Sequence, residues 1–179
     1  MKRYDHFAFR VPNRIQTAQF FIDAMDYRIQ TEFDLNFPDG STTKCIALEP
    51  SNRVLNAPWT AMLPFNEFSV ELHAMPEIFV SDGDENSIVG KWVKERSGIG
   101  SYLHHIAIQC ESVEETMKEW KEKKYVEFAT EEILTCPGLK QIFSRPSSLT
   151  GIIYELIERG EHGFCKENVT KLILSSDLK

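Results

Sequence analysis

The sequence predicts an α+β fold in which two tandem β-α-β-β-β modules form an open, cup-shaped mixed sheet. The first observation is a strand pattern followed by a helix pattern that occurs twice, at 4–25 and at 103–124. The second is that three further strand patterns follow each occurrence. A chain of 179 residues has room for two such modules sharing one core.

Composition and charge narrow the class of protein. The chain is 42% hydrophobic and 26% charged, with 20 basic against 27 acidic residues, so a nucleic-acid or anionic-membrane partner is not expected. No segment has the length of a membrane span or the form of a secretion signal. The four cysteines lie far apart without a C-x-x-C pair, which indicates free thiols and a cytoplasmic location.

The first module is predicted to span residues 1–83. It opens with the strand "YDHFAFRV" (4–11) and a helix at 13–25, for which Asn13 is the predicted N-cap. Three strands follow, at 27–35, 42–50 and 68–76, and the turn signal "NFPDGS" separates the first two.

A linking helix is predicted at 84–102, and the second module at 103–159. The strand "LHHIAIQC" precedes a helix at 112–124, where Ser112 and Glu115 form a capping box. The strand candidates "YVEFATEEI", "LKQIFSRP" and "GIIYELIER" complete the module. Residues 160–179 are predicted to be a tail over or beside the cup.

Superposing the two modules aligns His6 with His105 and Glu71 with Glu155. Because side chains alternate along a strand, the apolar residues of each strand cover the helix and these four residues face the cup. His104 then faces the helix side. Two carboxylates opposite two imidazoles form a charge pattern that a divalent cation would neutralise. Nitrogen and oxygen ligands without a thiolate suit Fe, Co, Ni, Mn or Zn.

The motifs "DHFAFRV", "LHHIAIQC" and "GIIYELIER" resemble the vicinal oxygen chelate superfamily of glyoxalases, bleomycin resistance proteins and extradiol dioxygenases. The resemblance covers residues 4–158 and implies an open cup around one metal ion, with ligands from the first and last strands of each module. The linker region resembles methylmalonyl-CoA epimerase, whose four ligand positions correspond to His6, Glu71, His105 and Glu155. Residues 139–173 resemble the catalytic half of 4-hydroxyphenylpyruvate dioxygenase.

The role of Glu71 separates two predicted activities. If Glu71 is a fourth ligand, two positions of an octahedral ion remain for a chelating oxo acid or acyl thioester, which favours an isomerase or lyase that stabilises an enolate. If only His6, His105 and Glu155 bind, three positions remain, which suits a dioxygenase. We slightly favour the isomerase or lyase; a non-catalytic ligand-binding protein is a third possibility.

Several other residues are candidates for the site. Glu155, Glu71 and Glu49 are candidate proton carriers, the last because it shares a strand face with Cys45. The candidate contacts to a small-molecule substrate are His73, Ser144, Arg145 and Phe164. Pairing of an exposed sheet edge would also allow a homodimer.

Overall fold

The computed structural model describes residues 2–51, 75–97, 101–160 and 166–175. The strands are β1 (Arg3–Arg10), β2 (Tyr27–Asn36), β3 (Thr42–Pro50), β4 (Glu77–Gly83), β5 (Leu103–Gln109), β6 (Leu134–Cys136), β7 (Leu139–Phe143) and β8 (Ile153–Arg159). The helices are α1 (Arg14–Met25), α2 (Ile88–Arg96), α3 (Val113–Glu122) and α4 (Lys166–Ser175).

The eight strands of the described residues belong to one curled mixed sheet, in the order β2-β3-β4-β1-β5-β8-β7-β6. The first strand of each module pairs in parallel with the last strand of its own module, as β1 with β4 and β5 with β8. The two first strands pair with each other in antiparallel orientation at the centre. The predicted α+β cup of two β-α-β-β-β modules is confirmed.

The last strand of the first module corrects the sequence prediction. The strand that pairs with β1 is Glu77–Gly83, whereas the alternating pattern predicts 68–76, most of which lies outside the described residues. "EIFVSDG" reads less clearly as a strand because it ends in polar residues, but Ile78 and Val80 supply the buried face. In the structure, the strand of the first module that corresponds to β8 is therefore 77–83.

A smaller correction concerns the second module. The predicted strand at 125–133 contributes only an isolated bridge between Phe128 and Ser144, and β6 is a three-residue strand that starts at Leu134. The aromatic and β-branched residues at 125–133 suit a strand, but Phe128 and Ile133 instead pack on the apolar cluster beneath α3.

Helix caps and apolar clusters explain how the helices cover the sheet. Asn13 accepts a hydrogen bond from the backbone N–H of Gln16, and Ser112 accepts one from that of Glu115. A buried cluster that includes Phe21, Ile46 and Val80 packs beneath α1. A second cluster packs beneath α3 and is built from Val113, Met117, Ile142 and Leu156. Both helices therefore cover one face, and the opposite face remains for a site.

The cysteines differ from the prediction of four free thiols. Cys45 and Cys110 are free and buried, but Cys136 is disulfide-bonded. Wide spacing along the chain does not prevent two cysteines from meeting in the folded protein. Within the described ranges, the helices are all too short or too polar to cross a membrane.

Candidate metal centre

Three side chains from neighbouring strands converge at the centre of the sheet. The Nε2 atoms of His6 and His105 lie 3.2 Å apart. Oε2 of Glu155 lies 3.3 Å from Nε2 of His6 and 3.1 Å from Nε2 of His105. The three atoms form a nearly equilateral triangle of potential ligands, and they make a group that could hold a metal ion.

The position of the triangle follows from strand order and register. β1, β5 and β8 are neighbours in the sheet, so their concave faces are contiguous. His105 lies opposite Ala8 across β1 and β5, and Glu155 lies opposite Ala107 across β5 and β8. The two alanines carry only a methyl group, which leaves room above them for the three longer side chains.

The donor set fits a divalent ion of the first transition row. Adjacent ligands at ~2.1 Å from an octahedral ion are ~3.0 Å apart, close to the edges of this triangle. Only 1% of the surface of Glu155 and 6% of that of His6 is exposed. A buried cluster with one carboxylate and two imidazoles is a poor structural ion pair, because desolvation opposes the attraction. The three residues form a group that could hold a cation instead.

The electrostatic balance keeps the carboxylate ionised. Burial acts to raise the pKa of Glu155, but hydrogen bonds with His105 and His6 outweigh it and lower the pKa to about 2. Burial acts to lower the pKa of His6, but Asp5 and Glu155 raise it to about 9. Burial lowers the pKa of His105. In the metal-free protein a proton on His6 therefore supplies positive charge beside Glu155.

Each of the three residues has a hydrogen-bond partner behind it. Nδ1 of His6 lies 2.6 Å from Oδ1 of Asp5, and Nδ1 of His105 lies 2.8 Å from Nδ1 of His104. Nε2 of Gln141 donates to Oε1 of Glu155 at 2.7 Å, so Oε2 is the oxygen that can bind a metal ion. Partners of this kind fix the orientation of metal ligands.

Phenylalanine holds the fourth position predicted by the repeat. In the second module Glu155 lies opposite Ala107, and in the first module the residue opposite Ala8 is Phe79. The Phe79 ring lies against His6, with centroids 4.7 Å apart. Glu71, which the sequence alignment assigns to this position, lies outside the described residues. The described site thus has three ligand atoms and an apolar fourth side.

The placement of His104 corrects the prediction that it faces the helices. Ala8 pairs with His105 but Phe9 pairs with Leu103, so His104 is the extra residue of a β-bulge in β5. The bulge interrupts the alternation on which the prediction rests, and His104 lines the same cavity as His105. Burial, followed by the charge of Arg10, lowers the pKa of His104 well below its ordinary value.

The cavity beside the triangle has mainly aromatic and aliphatic walls. Phe33, Phe79 and Phe143 line it together with Leu139, while Arg10 adds a buried cationic side chain. Helix α4 closes one side through Val169 and Ile173, which also pack near β2 and β3. Residues 166–175 of the predicted tail therefore lie beside the cavity.

Three predicted site residues lie away from the cavity. Glu49 forms an ion pair with Arg28 at 2.7 Å near the end of β3. The Ser144 hydroxyl accepts a hydrogen bond from the backbone N–H of Tyr154, and Arg145 lines a separate surface groove beside α3. Strand alternation placed Glu49 on the correct face but too far along the strand. His73 and Phe164 lie outside the described residues.

Several residues of the site were not predicted from the sequence. Phe79 was missed because the last strand of the module was placed too early. Gln141 sits at an alternating position of β7, from which it reaches Glu155, and this signal was available in "LKQIF". Asp5 directly precedes His6, and side chains at neighbouring strand positions ordinarily face opposite ways. The contact between the Asp5 carboxylate and Nδ1 of His6 was therefore not expected from the sequence.

Comparisons with known sequences and structures give matches at the level of fold. No protein-family model matches the sequence, and no curated protein is significantly similar to it. Solved structures do match. A triple mutant of 4-hydroxymandelate synthase from Streptomyces coelicolor superposes with a TM-score of 0.71 and 15% identity over 97% of this chain. The chain spans 53% of that structure, about half its length.

Two further matches cover nearly the whole of the matched chain. The hypothetical protein BH1468 from Bacillus halodurans C-125 superposes with a TM-score of 0.60 and 22% identity, over 92% of this chain and 99% of its own. A methylmalonyl-CoA epimerase from Streptomyces coelicolor, in complex with 2-nitronate-propionyl-CoA, gives a TM-score of 0.58 and 16% identity, over 91% and 98% of the two chains. At these identities the matches establish the fold.

Proposed function

We propose that this chain, which has the fold of the vicinal oxygen chelate superfamily, is a non-haem Fe(II)-dependent dioxygenase that acts on a small 2-oxo acid. The observation that carries the proposal is the triangle of His6, His105 and Glu155, with Phe79 at the fourth position of the repeat. Two histidines and one carboxylate on one face of an octahedral ion are typical of non-haem Fe(II) oxygenases.

The number of metal coordination positions left open by the protein supports an oxygenase over an enolate-forming enzyme. The three ligands found among the described residues leave three positions, enough for a chelating 2-oxo acid and for O2. Bound Fe(II) would supply the electrons that activate O2. The overall reaction balances as one 2-oxo acid and one O2 giving CO2 and a carboxylic acid one carbon shorter, with the second oxygen atom inserted into that product.

The residues around the triangle have separate tasks. Gln141 holds Oε1 of Glu155 and so favours a ligand that binds through Oε2 alone. Phe79 and Phe143 exclude water from two sides of the site, since their rings lie 4.7 and 4.8 Å from those of His6 and His105. An aromatic, water-poor wall suits the apolar group of a 2-oxo acid and protects reactive species from side reactions.

A metal-dependent isomerase or lyase is the second candidate. The epimerase structures that match are similar in length to this chain and are covered almost completely by it. Glu71 is the sequence candidate for a fourth ligand, which would leave two positions for a chelating substrate. In that case the metal would polarise a carbonyl group and stabilise an enolate without consuming O2.

Metal content and O2 uptake test the proposal together. Protein purified without chelators and reloaded anaerobically with Fe(II) should bind one ion per chain. A series of aryl and alkyl 2-oxo acids should then give O2 consumption and CO2 release in equal amounts. Glu155→Gln should abolish both, because it removes the only anionic ligand of the triangle. Glu122→Gln, on the exposed side of α3, is the matched control and should leave both unchanged.

Two outcomes would contradict the dioxygenase. A wild-type protein that binds no divalent metal would remove the basis of both candidates. Deuterium exchange at the α-carbon of an acyl thioester, with Co(II) bound and without O2 uptake, would favour the isomerase. If that exchange is lost in Glu71→Ala, the four-ligand site would replace the three-ligand site.

A further inference from the structure

Each ligand histidine directly follows a residue that holds its second ring nitrogen. Asp5 precedes His6, and its Oδ1 lies 2.6 Å from Nδ1 of that histidine. His104 precedes His105, and the two Nδ1 atoms lie 2.8 Å apart. In the superposition of the two modules, Asp5 and His104 occupy the same position. The repeat therefore includes the residues behind the ligands as well as the ligands themselves.

Proton positions follow from which nitrogen faces the metal site. In the metal-loaded site Nε2 of each ligand would face the ion, so the proton of each neutral ring lies on Nδ1. His105 must then donate through Nδ1, and the Nδ1 atom of His104 must accept. The remaining proton of His104 lies on its Nε2 atom.

The Nε2 atom of His104 has no hydrogen-bond partner among the described residues and is shielded from solvent. The ring is 4% exposed and packs edge-on against Trp92 and Phe143. A phenylalanine would make similar ring contacts without burying an unsatisfied donor, which costs stability. Packing alone therefore does not explain a histidine at this position, and its contact with His105 does.

We propose that His104 is a positioning residue that accepts the Nδ1–H of His105 and so holds His105 with Nε2 directed at the metal. The inference rests on the proposed metal-dependent function and deepens it. A neutral imidazole behind His105 and a carboxylate behind His6 make the two ligands unequal. The carboxylate of Asp5, a charge-assisted acceptor, makes His6 the stronger donor to the metal, and His105 the weaker one.

The test compares two variants that differ in the acceptor. His104→Phe keeps an aromatic ring but removes the acceptor, and His104→Asn replaces Nδ1 with an oxygen at the same side-chain position. Removing a partner of this kind weakens metal affinity by ~10- to 100-fold. We expect this loss in His104→Phe, with a shifted visible spectrum of the Co(II)-loaded protein. His104→Asn should recover most of the affinity and the wild-type spectrum.

Stability of the metal-free protein separates positioning from folding. The urea midpoint of metal-free His104→Phe should match that of the wild type, because the change removes one unsatisfied donor, Nε2–H of His104, and leaves another, Nδ1–H of His105. A lower midpoint, with an affinity loss that His104→Asn does not recover, would assign His104 a purely structural role and overturn the inference.

The inference and the proposed function fail in different ways. If wild-type protein binds Co(II) and Fe(II) but His104→Phe binds them with the same affinity and spectrum, the positioning role is refuted and the metal site stands. If wild-type protein binds neither metal, the proposed function itself is refuted.

Discussion

Arg159 clamps the last strand of the second module to the first strand of the chain. Its guanidinium donates to Oδ2 of Asp5 through Nε at 2.7 Å and to Oδ1 through Nη2 at 2.6 Å. A weaker contact joins Nη2 to Oε2 of Glu77 at 3.3 Å. The Asp5 carboxylate in turn supports His6, so the clamp connects stability with the metal site. Replacing Arg159 with methionine keeps much of the side-chain volume and removes the charge.

The expected loss follows from burial. The side chain of Asp5 is 7% exposed and that of Arg159 is 20% exposed, so solvent replaces the lost partner poorly. Two hydrogen bonds to a charged group contribute ~1.5–3 kcal/mol each. Removing one member of a buried pair costs ~3–5 kcal/mol, because the Asp5 charge that remains beside His6 is less well compensated. At ~2–4 °C per kcal/mol for a chain of this size, Tm should fall by ~6–20 °C.

Urea unfolding followed by tryptophan fluorescence measures this change, with a chelator present so that no metal contributes. Arg28→Met is the matched control, because Arg28 is 54% exposed in its ion pair with Glu49 and should lose no more than ~1 kcal/mol. The double variant with Asp5→Asn should recover part of the loss. If Arg159→Met loses less than ~1 kcal/mol, the clamp behaves as a surface ion pair and the reasoning from burial is refuted.

Three other predictions concern the site and the fold. Phe79→Glu adds a carboxylate at the position equivalent to Glu155, so divalent ions should bind more tightly in titrations and 2-oxo-acid-dependent O2 uptake should be lost. Phe79→Leu should keep the metal affinity and the O2 uptake of the wild type. Burial raises the pKa of the Cys45 thiol to about 12, so a thiol reagent at pH 8 should label Cys45 only in urea. In the unfolded chain this thiol has a pKa of ~8.5, so the contribution of Cys45 to stability falls as the pH rises above ~8.5. Ser112→Ala removes the N-cap of α3 and should lower the free energy of unfolding in urea by ~1 kcal/mol, whereas Ser148→Ala, at an exposed position, should leave it unchanged.

Local patterns were sufficient for much of the fold. The alternation around His6 and His105 identifies the two central strands, and the caps at Asn13 and Ser112 fix the starts of their helices. Repetition of these patterns predicts the paired modules. Since strand, helix and cap signals depend on neighbours within a few residues, they are present in the chain before it folds.

Register was the part that local patterns could not supply. The segment 68–76 alternates more regularly than Glu77–Gly83, yet the latter pairs with β1. The choice depends on hydrogen bonds and packing between segments about 70 residues apart. A shift of the strand along the sequence changes which residue reaches the metal site, and it places Phe79 where the sequence alignment places Glu71.

The sequence by itself determined the two modules, the central strands and the residue types of His6, His105 and Glu155. Only the tertiary structure decided that their three donor atoms meet within 3.3 Å. It also decided that Phe79 takes the fourth place and that a bulge brings His104 behind His105. Local conformation follows from short-range periodicity, whereas a site is fixed by the register of strands that are distant in the chain. That register is set by the packing of the whole sheet.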